Sequence, residues 1–186
     1  MKARYLLLLP CLAVALSACD SGKSDTPTGS TTASTSGKLP ARPKEIKIDN
    51  LDPCTVLNND QQKQLLVDAQ PSAGGQANKD CSFHKSSTKP YLSYLVVARA
   101  NEGVEVWLDG TRDAEAKPVD AAGFPAVQVS KSDSSNLGCE IVVDVAKGQS
   151  LSVSFSQITD PQPPVAEQCA NALKAATFAM QTLQKK

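Results

Sequence analysis

Cysteine has the most distinctive chemistry in this sequence, and one of the six cysteines lies at a sharp change in composition. The stretch Leu16-Ser17-Ala18-Cys19 ends an apolar run and precedes a long Ser/Thr/Gly-rich segment. A branched residue, two small residues and a cysteine form the pattern at which a lipoprotein leader is cleaved, after which the cysteine sulfur carries diacylglycerol. We expect Cys19 to be the lipidated first residue of the mature chain. The alternative is a plain secretory signal with an incidental cysteine.

The segment before Cys19 has the features of a leader peptide. Lys2 and Arg4 supply positive charge, and residues 5–16 form an apolar run of twelve residues. A helix that crosses a bilayer needs about 20 apolar residues, so this run is too short to span and indicates a signal peptide. We therefore assign residues 1–18 to the leader, and Cys11 is removed with it.

Four further cysteines follow: Cys54, Cys81, Cys139 and Cys169. An exported domain meets an oxidising environment, so an even number favours two disulfides. We favour Cys54–Cys81 with Cys139–Cys169, because Cys169 falls on the apolar stripe of a helix and Cys139 on the packed side of a strand. The pairing Cys54–Cys169 with Cys81–Cys139 stays open, as does the third combination. A zinc site is disfavoured because no C-x₂-C pair occurs.

The remaining reactive side chains form no familiar catalytic set. His84 is the only histidine, and the sequence has no G-x-S-x-G elbow, H-E-x-x-H motif or Gly-rich phosphate loop. We expect His84 on the solvent side of a strand. Trp107 is followed by carboxylates that would suit a glycosidase pair, although a solvated helix end is the simpler explanation; these are Asp109, Asp113 and Glu115. We predict no catalytic residue, no cofactor and no metal.

The few aromatic residues are candidate ligand contacts. Aromatic residues make up only 4% of the chain, and Tyr91, Tyr94 and Trp107 are available to line a ligand groove. Their alternative role is packing, since a core with so few large rings needs those that it has.

Composition divides the rest of the chain into a tether and one domain. Residues 19–44 begin with the lipidated cysteine and are rich in Ser, Thr, Gly and Pro, with Leu39 as the only large aliphatic residue, so we expect a disordered spacer. Residues 45–186 have enough apolar residues for a single extracellular domain. Basic and acidic residues number 19 each, which argues against a nucleic-acid-binding protein.

Helix and strand signals alternate through the domain. Asn59 followed by Gln62 predicts a capped helix, and residues 164–183 carry an apolar stripe at helical spacing. Alternating apolar and polar residues predict two hairpins and a further strand, and one segment reads as a short helix. The hairpins cover 81–100 and 139–158, the strand 123–131 and the short helix 102–114. The expected fold is α+β, an antiparallel sheet packed by an N-terminal and a long C-terminal helix.

Short motifs spread along the chain resemble those of one family. They are the lipobox ending at Cys19, DPC at 52–54, CSF at 81–83, GFPA at 123–126, C-x-I-V-V-D-V at 139–145 and a last helix bearing Cys169. In these motifs the chain resembles actinobacterial lipoproteins that share domain of unknown function 3558. The resemblance implies display on a Gram-positive cell surface and a fold similar to the Mog1/PsbP type. It implies no activity and no catalytic residue.

These features predict a membrane-anchored lipoprotein on the extracellular face of the cell membrane. We expect a non-enzymatic binding or accessory module of the envelope; the alternative is a sensor for a small ligand or cell-wall fragment. The expected partners are membrane lipid, through acylated Cys19, and an envelope protein or cell-wall component. Nucleic acid is not expected as a partner.

Overall fold

An antiparallel sheet organises the structure, a computed structural model that describes residues 38–75, 79–110, 112, 114–130, 138–158 and 161–186. Its strands are β1 (Ser72–Ala73), β2 (Asp80–Lys85), β3 (Tyr91–Arg99), β4 (Glu115–Ala121), β5 (Phe124–Ser130), β6 (Cys139–Ala146) and β7 (Gln149–Ile158). The seven strands lie in the order β1-β2-β3-β7-β6-β5-β4. The predicted leader, Cys19 and most of the predicted tether lie outside the described residues.

Both predicted hairpins are confirmed. β2 pairs with β3, with Phe83 opposite Tyr94, and β6 pairs with β7. Lys147 and Gly148 form the turn between β6 and β7, where Gly148 has a φ of +69°. Glycine adopts this left-handed conformation without the steric cost that a Cβ brings, so the residue type fits the turn.

The long helix α2 (Val165–Leu183) covers the inner face of the sheet, as predicted. Small side chains let the helix backbone approach the strands closely. Val165, which the predicted stripe included, is 52% exposed because it lies in the first turn, beyond the helix–sheet contact. The buried helix residues are Cys169, Ala172, Ala175, Ala176, Ala179, Met180 and Leu183.

The short helix α1 (Asn59–Gln64) begins one residue earlier than predicted. Asn58, and not Asn59, is the N-cap: its side-chain oxygen accepts from the Gln61 backbone N–H at 3.0 Å. The Gln61 side chain in turn accepts from the Asn58 backbone N–H at 2.9 Å, which completes a capping box. Gln61 also donates to the Phe178 carbonyl at 2.9 Å, so the cap joins α1 to α2.

The favoured disulfide pairing is present. Cys54–Cys81 links the 3₁₀ helix Pro53–Thr55 to β2, and Cys139–Cys169 links β6 to α2. The Cα–Cα distances are 5.1 and 4.7 Å, within the usual range for a disulfide. Cys139 lies on the inner face of β6 and is bonded to Cys169 on the buried side of α2, as the sequence pattern predicted.

A second apolar cluster covers part of the outer sheet face. The 3₁₀ helix Val104–Trp107 lies over β5 and β6, and its Val104 packs with Val127, Val129 and Val142. Leu39 and Trp107 pack at the margin of this cluster. The outer face therefore has a covered half, over β5 and β6.

Residues 38–44, placed in the tether by composition, make contacts with the domain. Leu39 finds an apolar partner in the second cluster, and Arg42 forms ion pairs with Asp144 and, at 3.2 Å, with Glu45. Burial raises the pKa of Asp144, and the hydrogen bond from Arg42 opposes this rise. Composition alone does not reveal these partners of Leu39 and Arg42, and the boundary near Glu45 stays a prediction.

Candidate ligand-binding groove

On the outer face, the described residues leave β2, β3 and β7 less covered near the β2–β3 hairpin than at the other end of β7, where Ser150 and Ser152 are buried. On this part of the face, Tyr91 is 37% exposed and Ile158 is 74% exposed. Beside them is a groove of about 410 Å³, which we call the open-face groove. This volume lies in the range of small-molecule sites. The groove is lined by His84, Lys85, Ser86, Tyr91, Leu92, Ser93, Ser156 and Ile158.

Strand register determines which side chains meet in the open-face groove. Ser93 on β3 lies opposite His84 on β2 and opposite Ser156 on β7. In the neighbouring row, Tyr91 lies opposite Ile158. Residues opposite each other on one face have Cβ atoms about 4.5–5.5 Å apart. The groove thus combines a polar row of His84, Ser93 and Ser156 with an apolar pair, Tyr91 and Ile158.

The polar row has unused hydrogen-bonding capacity. Within the described part of the chain, the side chains of His84, Ser93 and Ser156 have no hydrogen bond or ion pair. An imidazole and two hydroxyl groups can both donate and accept hydrogen bonds. The row can therefore bind polar groups of a ligand without breaking a contact within the described residues. His84 lies on the outer face, as its place in the strand predicted.

The rim at the β2–β3 hairpin carries positive charge. Lys85 Nζ donates to the Lys89 carbonyl at 3.4 Å. The neighbouring carboxylate, Asp68, is engaged by the hairpin: it accepts from the Ser87 hydroxyl, from Ser86 N at 2.7 Å and from Ser87 N at 3.2 Å. The hydrogen bond from the Ser87 hydroxyl is the main cause that lowers the pKa of Asp68, followed by the one from Ser86 N. The described lining of the groove includes no carboxylate.

The structure does not bring the three predicted aromatic contacts together. Tyr91 lies at the open-face groove. Tyr94 is on the opposite, inner face, where it is 2% exposed and packs on Phe155 with 5.1 Å between ring centroids. Trp107 belongs to the margin of the second cluster. A cleft formed by all three rings is therefore not present, because strand alternation sends Tyr91 and Tyr94 to different faces and the 3₁₀ helix places Trp107 elsewhere.

The surroundings of Trp107 are those of a packed side chain. The Arg112 guanidinium lies 4.2 Å from the centroid of the indole ring and forms an ion pair with Glu102 at 2.7 Å. One face of the ring is thereby occupied. Among the nearby carboxylates considered for a glycosidase, Glu115 is paired with Lys117 at 3.2 Å, and Asp113 lies outside the described residues.

A second cavity, of about 640 Å³, lies near the Cys54–Cys81 bridge. Its carboxylates have structural partners: Asp52 accepts from Cys54 N at 2.9 Å, and Asp49 accepts from Gln149 Nε2 at 2.8 Å. The residues described contain no group of three or more His, Cys, Asp or Glu side chains placed to hold a metal ion. The open-face groove is therefore the better candidate site.

Ile158 and Ser156 were not among the predicted site residues, although the sequence contains a signal for Ile158. Serines at 152, 154 and 156 indicate a polar face of β7, and Ile158 is the next residue on that face. An isolated large aliphatic residue in a serine row is a candidate contact.

No helix that the structure describes has both the length and the apolar content needed to span a membrane.

Fold and groove together define an α+β domain with two internal disulfides and one partly open sheet face. The chain matches the family described as "Protein of unknown function (DUF3558)" over residues 14–182, and it belongs to that family. No curated protein and no solved structure matches the chain. The Mog1/PsbP-type fold and the actinobacterial source stay predictions.

Proposed function

We propose that this chain is a membrane-anchored cell-surface lipoprotein whose domain is a non-enzymatic binding or accessory module of the envelope. Acylated Cys19 would hold it through membrane lipid on the extracellular face of the cell membrane. Two or three acyl chains on one residue give a stable anchor, whereas one chain binds only marginally. The partner would be an envelope protein or a cell-wall component, and not nucleic acid.

The observation that carries the binding role is the exposure of Ile158. Burying an isoleucine side chain completely contributes about 1.5–3 kcal/mol, and at 74% exposure most of this contribution is forgone. Ile158 and Tyr91 are neighbours in register, so the exposed apolar surface is continuous across β3 and β7. Apolar surface of this kind, next to polar groups, is typical of contact sites.

The anchor and the contact surface can be tested separately in whole cells. Replacing Cys19 by Ala should move the protein from the membrane fraction to the medium or leave it unprocessed; unchanged, processed protein in the membrane fraction would contradict the anchor. A photo-crosslinking side chain at position 158 should yield a defined adduct that the same side chain at position 165 does not. Val165 is a matched control, since it is also an exposed aliphatic residue but does not line the groove. Identical adducts at both positions would contradict the contact surface.

A second candidate function is a sensor or binding domain for a small ligand or cell-wall fragment. It is favoured by the size of the open-face groove and by the polar row of His84, Ser93 and Ser156. Titration of the protein with soluble wall fragments, followed by chemical shifts of these residues, would test it. Shifts confined to residues away from the groove would contradict this candidate.

A further inference from the structure

We infer that the open-face groove binds an amphiphile in which an apolar body is joined to one anionic group, a carboxylate or a phosphate. This inference rests on the proposed function, because it uses the same groove as the contact surface, and it names the chemical class of the ligand.

The apolar part of such a ligand has a matching wall. Tyr91 and Ile158 lie side by side across β3 and β7, and both are exposed at the groove. Their contact with a hydrocarbon body would remove apolar surface of both partners from water. Tyr91 also presents a ring with a polar tip, a combination common where a site is apolar at one end and wet at the other.

The anionic part is selected by the charges at the hairpin end of the groove. Lys85 lines the groove, and its Nζ donates to the Lys89 carbonyl at 3.4 Å. Asp68, the carboxylate at this hairpin, keeps its negative charge, because the hydrogen bonds from Ser87 and Ser86 and the charge of Lys85 lower its pKa. Lys85 and Lys89 against this one carboxylate leave the hairpin with one positive charge in excess. The described lining thus offers cationic and neutral donors to a ligand but no carboxylate, so an anionic group is favoured over a cationic one.

The occupant is one free amphiphile molecule, and not a bilayer surface. The volume of about 410 Å³ suits a single small ligand. The polar row of His84, Ser93 and Ser156 also runs beside the apolar pair on the same sheet face, so one molecule can reach both.

The test uses the full chain with Cys19→Ala, which removes the acyl group, and dodecanoate below its critical micelle concentration as the probe. Dodecyltrimethylammonium and dodecyl maltoside have the same chain with a cationic or uncharged head group. We expect dodecanoate to bind at least tenfold more tightly than the cationic probe in calorimetric titration. Ile158→Ser should weaken dodecanoate binding about tenfold, through loss of apolar contact. Lys85→Glu should weaken it about five- to tenfold, through charge reversal at a rim position.

Two matched controls carry the same substitutions away from the groove. Val165→Ser removes an exposed aliphatic side chain, and Lys63→Glu reverses an exposed charge. Both should leave dodecanoate affinity within twofold of the parent chain. Because Ile158 is exposed, Ile158→Ser should keep the parent circular dichroism and melting temperature; Tyr91→Ser serves as a second groove variant and should weaken binding as well.

Several outcomes would overturn the inference. They are the absence of dodecanoate binding, equal affinity for the three head groups, equal effects of groove and control variants, binding to vesicles of anionic phospholipid without binding of free dodecanoate, and displacement of dodecanoate by uncharged wall sugars alone. Failure of the proposed function is distinguishable, since it would show as loss of the position-specific adduct in cells while dodecanoate binding persists.

Discussion

Removal of either disulfide should lower the free energy of unfolding by about 3.5 kcal/mol. The bridges close sequence separations of 27 and 30 residues. If a disulfide acts by restricting the unfolded chain, its contribution grows only with the logarithm of loop length, so both bridges are expected to contribute about 3.5–3.6 kcal/mol. For a domain of this size, that loss corresponds to a fall in melting temperature of about 7–14 °C.

Combining the two changes gives a sharper test. The loops 54–81 and 139–169 do not overlap along the chain, so their restrictions on the unfolded state are independent and should add. Loss of both bridges should then cost about 7 kcal/mol, comparable with the whole stability of many domains. Alanine is the appropriate replacement because Cys81 and Cys139 are fully buried, and a serine hydroxyl there would need a hydrogen-bond partner.

The assay is urea unfolding of the double variants Cys54→Ala/Cys81→Ala and Cys139→Ala/Cys169→Ala and of the variant with all four changes. Trp107 is the only tryptophan, so its fluorescence can be followed beside far-ultraviolet circular dichroism. Losses below about 1 kcal/mol per bridge, or a combined loss far from the sum, would contradict stabilisation through restriction of the unfolded chain.

Three further predictions concern single side chains. Burial raises the pKa of Tyr94 to about 12. The domain should therefore keep full stability below pH 10 and lose about 2–3 kcal/mol as the pH rises from 10 to 12. Tyr94→Phe should abolish this fall, and an unchanged pH profile of unfolding in the variant would contradict the assignment to Tyr94. Gly138→Ala would place a Cβ 2.3 Å from the Phe155 carbonyl oxygen and should cost about 1–3 kcal/mol in urea unfolding. Gly75→Ala, with no described atom within 4 Å of the new Cβ, should change stability by less than about 0.5 kcal/mol. Equal costs would count against the packing at Gly138. Asn58→Ala removes the cap of α1 and should cost about 1 kcal/mol by thermal melting; no change in melting temperature would show that the cap is dispensable.

The sheet and its disulfides were largely predictable because strand alternation is a local signal. Serines alternate with apolar residues along β7, and this pattern alone defines the face that packs on α2. Cys139 and Cys169 could then be paired from their positions on two packed faces. β4 was not predicted, since its sequence EAKPVDA has a central proline and little apolar alternation. It pairs with β5 at the edge of the sheet that the described strands form, where such a sequence is tolerated.

The groove and the packing of residues 38–44 depend on contacts between distant parts of the chain. Which half of the outer face is open depends on where the 3₁₀ helix Val104–Trp107 lies, and the sequence gives its existence but not its position. Leu39 packs on the second cluster and Arg42 pairs with Asp144 of β6, and both of these partners lie far along the chain. The cap of α1 was misplaced by one residue because Asn58 and Asn59 are both good N-caps, and only the contact with Gln61 decides between them.

The proposed anchor at Cys19 decides where the domain and its groove are displayed. Intact mass spectrometry of the native protein, extracted from cell membranes, tests it most directly. We expect a chain that begins at Cys19 with a diacylglycerol group on the sulfur and four oxidised cysteines in two bridges. An unmodified Cys19, or a native chain that begins at any other residue, would contradict it.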